Sequence, residues 1–407
     1  MMKGWQQKQL GKLAELKGRI GWRGLTAKEY TKSGPLFLSV HSLNYGDYVD
    51  FRDAFHISEE RYVESPEIML QPDDVLICKD GAGIGKIGIV GTLPDRTTIN
   101  SSLLLIRSGD QILPKFLYRC LSSPYFQQIV NSRLNGATTP HLYQRDITEF
   151  PVVLPPIPEQ HRIVGILDEA FDALATAKAN AEKNLQNTRA LFESHLQSVF
   201  TQRGEGWVES ALETVASILN GYAFKSTDFS PKNGVKCIKI TNVGVREFIC
   251  ESDGYLPDGF AAEYDAVSVK KGSIVLTLTR TIIAGGLKAA VVPAEYDRAL
   301  LNQRVAAIAT NDKHLTGAFL FAYLSTQTVV YYVKERVNTL MQPNLSITVL
   351  RSMPIPVPPR REQDKFTEKL DELREETQRL TILYERKLAA LDGLKKSLLH
   401  QAFTGQL

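Results

Sequence analysis

No apolar run in these 407 residues approaches the roughly 18 needed to cross a membrane, and the start carries no signal-peptide core. Cysteine is scarce. Cys78, Cys120, Cys237 and Cys250 are scattered with no C-x-x-C pair, which favours reduced thiols in a cytoplasmic protein over disulfides or a zinc knuckle. The seven histidines fall in no H-E-x-x-H or other metal spacing. A G-x-S-x-G elbow is missing, and so is the tetrapeptide of an adenine methyltransferase. Pro72-Asp73, Pro94-Asp95 and Pro257-Asp258 open like a nuclease motif, but no E-x-K follows. Charge of one sign is also lacking. Lys and Arg number 48 against 45 Asp and Glu, a net +3 too small to identify an acidic partner. These absences leave no motif for catalysis, metal or cofactor.

What the chain does have is itself, twice. Residues 1–203 recur in divergent form as 204–407, at an offset of 202 or 203. Gly4-Trp5 with Leu10 and Leu13 answers Gly206-Trp207 with Leu212 and Val215; Asn100 answers Asn302; Phe200-Thr201 answers Phe403-Thr404. A steady long period means two copies of one structural unit, each long enough to bury a core.

Each copy divides into a globular part and a long helix, giving boundaries at 1–158, 159–203, 204–361 and 362–407. The globular parts alternate short apolar runs (LFLSV, DVLIC, KIGIV and SLLLI; then VKCIKI, SIVLTL and KAAVV) with Gly, Pro, Asn and Asp punctuation, a pattern of short strands and turns. Helices are expected over 114–121 and 124–134, and over 317–323 and 329–337. Each globule therefore reads as mixed α+β. KDGAGIGKIG at 79–88 contains G-x-G-x-x-G, but an apparent strand follows where a dinucleotide site needs a helix, so it reads as a glycine hairpin.

Proline clusters at 155–158 and 354–359 impose extended chain. Beyond them proline disappears, and apolar residues recur at alternating steps of three and four. The second seam contains Phe366, Leu370, Leu373, Leu380, Tyr384 and Leu391; the first contains Ile163, Leu167, Leu174 and Leu191 among alanines. A 3.5-residue repeat over five heptads implies a coiled coil of helices about 60 Å long. A small seam fits a large one, so the expected architecture is a tandem pseudo-twofold repeat. Two globules are separated by two helices packed antiparallel.

The remaining candidates are polar and basic residues in turns. Residues 136–145 (GATTPHLYQR) supply Thr138, Thr139, His141, Tyr143, Gln144 and Arg145; the counterpart segment supplies Gln342 and Asn344. Lys79 and Lys86 flank the glycine hairpin, with Arg280 and Lys288 in the second copy. Asn100, and Asn302-Gln303-Arg304, open a strand in each copy. Such side chains suit phosphates and base edges, and they equally suit solvated turns.

With those residues assembled, the chain resembles the specificity subunits of type I restriction–modification systems. The carriers are the doubled W-x-x-x-x-L start, the GATTPHL segment and the joint VVLPPIPEQHRIVGILDEAFD. The second joint, IPVPPRREQDKF, departs in detail but keeps Pro-Pro and Glu362-Gln363. The resemblance implies two target-recognition domains, each reading one half of a split, asymmetric duplex DNA site. It implies helices that set the spacing and dock two methyltransferase subunits, with ATP-dependent restriction subunits joining. The chain itself would hold no cofactor and perform no catalysis; S-adenosylmethionine, ATP and Mg would belong to other subunits. Loops laid in the major groove about one helical turn (~34 Å) apart are the expected reading mode. A tandem protein-binding scaffold without a DNA role is one alternative, and an enzyme with an unrecognised site is the other.

Overall fold

Proline sets where each globular part ends and each long helix begins. The structure is a computed structural model describing residues 4–18, 25–134, 141–231, 233–251, 254–311, 313–337 and 344–407. In it, Pro151–Leu154 pairs antiparallel with Gln6–Gln9, and Pro354–Val357 with Val208–Ala211. The long helices follow at once, as Ile157–Thr201 and Arg360–Thr404, 45 residues each. They start two residues earlier than the proline clusters suggest. Pro158 is accommodated inside the first turn, where its missing N–H would have had no partner anyway.

The chain forms two compact units, and they are not the two sequence repeats. The first unit takes the chain up to Glu182 together with Arg386–Leu407; the second is Lys183–Glu385. Each unit therefore contains one globular part, the opening half of one long helix and the closing half of the other.

In the first unit a four-stranded antiparallel sheet runs in the order Ala14–Lys17, Leu103–Ser108, Val75–Cys78, Ile87–Ile89. A second sheet orders Phe55–His56, Thr31–Leu38 and Thr97–Ile99, the last two parallel. Val75–Cys78 is fully buried, and strand alternation divides its side chains between two cores. Val75 and Ile77 meet helices Pro114–Leu121 and Pro124–Leu134, while Leu76 and Cys78 meet the second sheet. The 79–88 glycine segment is a hairpin, as its pattern implies: Val75–Cys78 pairs with Ile87–Ile89 across a single 3-10 turn.

The second unit repeats this order with Ala216–Asn220, Val305–Thr310, Ile274–Thr277 and Ala289–Val291. Its other sheet runs Tyr255–Leu256, Val235–Ile238, Ala299–Leu301, Ser268–Val269, again with one parallel pair. Helices Gly317–Leu324 and Gln327–Arg336 cover the core side.

The Glu-Gln of each joint has a concrete task. Gln160 is fully buried; its Oε1 accepts from the Leu113 N–H at 2.8 Å and its Nε2 donates to the Gln111 and Pro155 carbonyls, both at 2.9 Å. Gln363 does the same with the Thr316 N–H and the His314 and Pro358 carbonyls. Each amide thus stitches a helix start to the loop before the globule's first core helix. Glu362 accepts from the Trp207 indole N–H at 3.0 Å, tying the doubled Trp start to the same joint.

The closing ends of the helices fill the cores reciprocally. Phe403 sits in the first unit 5.3 Å from Phe116, and Phe200 in the second 5.2 Å from Phe319. Within each unit the paired helix segments run antiparallel. In the first, Arg162 Nη2 donates to the Leu407 carbonyl and Lys178 pairs with Asp392. In the second, Arg189 reaches Glu385 while Phe200 packs on Phe366.

One position of the helix seam is corrected. Ile163, Leu167, Phe366 and Leu370 are buried, and Leu174, Leu373, Leu380, Tyr384 and Leu391 half-buried, but Leu191 is 52% exposed. Past Ala181 the inward line continues through half-buried Leu185 and Phe192 and buried Thr188 and Leu196. A strict 3.5-residue repeat drifts by about 20° per heptad from a straight helix of 3.6 residues per turn. Four heptads of drift move the seam by nearly one residue, which places Phe192 rather than Leu191 inward.

Candidate nucleic-acid interface

The best-defined candidate surface in each unit is a turn led by asparagine. In the second unit, Asn302–Arg304 links the parallel strand Ala299–Leu301 to the central strand Val305–Thr310. Its backbone is held from several sides: Asn302 N–H donates to Ile238, Gln303 N–H to Tyr222, Val305 N–H to Asn302, and Arg304 C=O accepts from Leu278 N–H. The Asn302 amide oxygen is taken by the turn, accepting from the Arg304 N–H at 3.3 Å. Gly221 makes the close approach possible, because a Cβ there would lie 2.2 Å from the Asn302 carbonyl oxygen. Gln303 and Arg304 are left exposed on a fixed backbone.

The first unit builds the same turn with other letters. Asn100 N–H donates to Leu38, Leu103 N–H to Asn100, and Ser102 C=O accepts from Lys79 N–H. Asn100 Oδ1 accepts from the Ser102 N–H at 3.2 Å. Asn100 and Asn302 are therefore occupied as turn formers, and the positions after them are Ser101-Ser102 in one unit and Gln303-Arg304 in the other.

Beside each turn the chain returns to cap the central strand. Leu142 N–H donates to Lys79 and Leu345 N–H to Leu278, with Asp80 bridging His141 and Thr279 bridging Asn344. The next residue must take a left-handed backbone; the first unit uses Gly81 at φ 78° and the second Arg280 at φ 53°. In the first unit this edge gathers a polar cluster. His141 Nδ1 hydrogen-bonds the Asp80 carboxylate, and its ring meets Tyr143 edge-on at 4.6 Å. The Arg145 guanidinium lies 5.1 Å from the Tyr143 ring, and Gln144 donates to the Leu16 carbonyl at 2.9 Å. Tyr143, Gln144 and Arg145 are exposed. Lys86 is exposed but spends its ammonium on Asn44 Oδ1 at 2.6 Å.

The second unit instead opens a groove of about 470 Å³ lined by Phe224, Phe229, Lys239, Thr241, Gln303 and Arg304. Lys239 Nζ lies 3.8 Å above the Phe229 ring, and Tyr222, 46% exposed, packs on Phe224 and Tyr264 at the rim. Sequence reasoning did not single out Tyr222, Phe224, Phe229 or Lys239. They converge from chain segments 60 to 80 positions away from the turn, and nothing local marks them. Lys288 is not at this surface: half-buried, it donates to the Ile240 carbonyl at 2.8 Å. Burial, aided by the nearby Arg280 charge, holds its ammonium below the usual lysine range. Arg280 and Asn344 are exposed on the strand-capping edge. Thr138, Thr139 and Gln342 lie outside the described residues.

Among the described residues no group of three His, Cys, Asp or Glu side chains could hold a metal ion, and no helix is long and apolar enough to cross a membrane. Cys120 and Cys237 are buried, which pushes each thiol up to about 12.

A doubled α+β unit with two 45-residue helices, each divided between the units, defines a class of tandem-repeat proteins, and comparison with known proteins places it. The family model described as the type I restriction modification DNA specificity domain matches twice, over residues 2–185 and 204–385. The chain is 27% identical over 360 residues to the type I restriction enzyme MjaVIII specificity subunit of Methanocaldococcus jannaschii, covering 85% of this chain and 81% of that protein. It is 21% identical over 361 residues to the EcoBI specificity subunit of Escherichia coli, covering 83% and 74%. Among solved structures, a chain described under complex assembly and conformational transition of the type I R-M system superposes with TM-score 0.78. It is 18% identical, with 100% of this chain and 99% of that one covered. The HsdS subunit of Thermoanaerobacter tengcongensis gives TM-score 0.65 at 18% identity, covering 100% and 98%. The chain belongs to the type I restriction–modification DNA specificity family.

Proposed function

We propose that each unit reads one half of a split, asymmetric target in double-stranded DNA and that the chain performs no chemistry of its own. The observation that carries this reading is the duplicated asparagine-led turn: one backbone framework, built twice, presenting different exposed side chains. Arg, Gln, Lys and Tyr on a fixed backbone suit base edges and phosphates, and an asymmetric target needs two readers that differ. Phosphate neutralisation supplies much of the affinity and makes binding steeply salt-dependent, while base-edge contacts discriminate.

The long helices set the gap between half-sites and dock two methyltransferase subunits, with restriction subunits joining that core. Leu191, Ile382, Leu383 and Leu394 are large apolar side chains left exposed on these helices, and they suit subunit docking. S-adenosylmethionine, ATP and Mg belong to those other subunits.

Exchanging residues 1–150 for those of another family member should change one half of the methylated target and leave the other half and the gap unchanged. Single-molecule methylation profiling of cells carrying either version measures this. Changes in both halves would overturn independent reading. If the assembled complex retards no duplex DNA at any salt concentration, the chain is instead a tandem scaffold for protein partners.

A further inference from the structure

We infer that Gln303-Arg304 is the base-reading pair of the second unit, and that Arg304 reads a guanine in the major groove. This rests on the DNA-reading function proposed above and names the residues that set part of its specificity.

The inference comes from what the turn does with its polar groups. A reader must offer side-chain donors and, for an amide, the acceptor oxygen as well, unconsumed by the protein, on a backbone that does not move when DNA arrives. Asn302 fails the first condition because its amide oxygen closes the turn. Lys288 fails it because its ammonium serves the Ile240 carbonyl. Arg246 fails it because it is held by Glu193 at 2.9 Å and by the Ser325 carbonyl at 2.8 Å. Arg304 and Gln303 meet both conditions. Their backbones are fixed through Tyr222, Asn302 and Leu278, and neither side chain has a hydrogen-bond or ion-pair partner among the described residues.

Their surroundings separate the roles further. Lys239, over the Phe229 ring, places a second cation in the same groove, suited to a phosphate as a point charge. The planar guanidinium of Arg304 matches guanine O6 and N7 with two parallel hydrogen bonds, and the Gln303 amide matches adenine N6 and N7. Tyr222 at the rim offers an apolar face to a neighbouring thymine methyl or sugar. In the first unit the equivalent positions are Ser101 and Ser102, too short to make either bidentate contact, so the two units read different bases from one framework.

The test uses the full chain in its assembled methyltransferase complex and duplexes in which each position of the target is varied singly. Binding is followed by gel retardation at two salt concentrations, and methylation by rate. Arg304→Lys retains the charge and removes the planar fork. It should relax the preference for guanine at one position by roughly 5- to 150-fold, the discrimination that one bidentate pair supplies. Every other position and the salt dependence should stay unchanged. Gln303→Ala should relax an adjacent position in the same half-site. Full retention of the guanine preference in R304K would overturn the inference, and so would a uniform loss of affinity across all sequences, which marks a phosphate contact. A wild-type complex without any sequence preference would instead sink the DNA-reading function itself.

Discussion

The first and second units keep the same frame and exchange almost everything mounted on it. Gln160 and Gln363 make matching sets of three hydrogen bonds, and Phe116–Phe403 mirrors Phe319–Phe200. A cation–π contact is even retained with its partners reversed. Lys395 lies 4.9 Å from the Phe171 ring in the first unit, whereas Arg374 lies 5.8 Å from the Phe192 ring in the second. The exposed edges share far less: a His141–Asp80–Tyr143–Arg145 cluster on one, an aromatic groove with Lys239, Gln303 and Arg304 on the other. The frame is held by buried groups whose loss costs stability. The edges carry side chains whose replacement leaves the core untouched, so they are free to diverge.

The largest effect that could break this comparison comes from the reciprocal phenylalanines. Phe200 packs against Trp207, Phe319, Tyr323 and Phe366, while among the described residues Phe403 has one aromatic ring contact, with Phe116. Phe200→Ala should destabilise the second unit by about 5 kcal/mol and Phe403→Ala the first by about 3 kcal/mol, the span for such truncations. Hydrogen exchange of the buried strands Ile274–Thr277 and Val75–Cys78 reads each unit separately. If F200A instead opened Val75–Cys78, the exchange of helix ends between cores would be wrong.

A smaller effect sharpens the comparison at the joints. Gln363→Ala strands the Thr316 N–H and two carbonyls, and Gln160→Ala does the same to Leu113, Gln111 and Pro155. Each should cost about 2 to 3 kcal/mol, the penalty for leaving buried polar groups unpaired. The two costs should be nearly equal if the frame is truly duplicated. Denaturant unfolding followed by exchange in each unit compares them, and a large inequality would show that one joint is only decorative.

How much of this was legible in the chain depends on the range of the interaction. The period of about 203, the buried strands and the proline-to-helix joints are local patterns of hydrophobicity and backbone constraint, and they can be read directly. The helix seam was legible in kind but not in phase, because a 3.5-residue pattern fits five heptads of text whereas a straight helix turns every 3.6 residues; Leu191 is where the difference shows. Membership of the units was hidden. Nothing in the letters of the first helix says that its closing half, with Leu196 and Phe200, belongs to the other copy's core. Candidate reading residues split the same way. The Asn302 turn is a sequence feature, but Tyr222 joins it only through the close approach at Gly221, and Lys288 turns inward to a carbonyl 48 positions away.

The smallest predicted effect concerns how each globule is fastened to its helix. In the first unit Arg119, 9% exposed, bridges the Asp47 carboxylate at 2.5 Å and the Asp168 carboxylate at 2.9 Å, the latter on the long helix. Burial alone would raise both carboxyls, but the Arg119 charge and hydrogen bonds, with Lys115 also on Asp168, leave both below the usual aspartate range. In the second unit the corresponding fastening is Arg246 on Glu193, reached from a loop rather than from a helix. A carboxylate whose folded value is depressed stabilises the fold above its unfolded value near 3.9 and loses that contribution as pH falls through the folded value. The first unit should therefore weaken between about pH 4 and the lower folded values of Asp47 and Asp168. The effect is modest because Asp47 and Asp168 remain 33% and 29% exposed, and water screens them. Arg119→Met should lower the first unit's stability at neutral pH and flatten its acid dependence, with the second unit's profile unmoved. A pH series of hydrogen exchange measures both units in one sample. An acid profile that R119M leaves unchanged would place the sensitive carboxylates elsewhere.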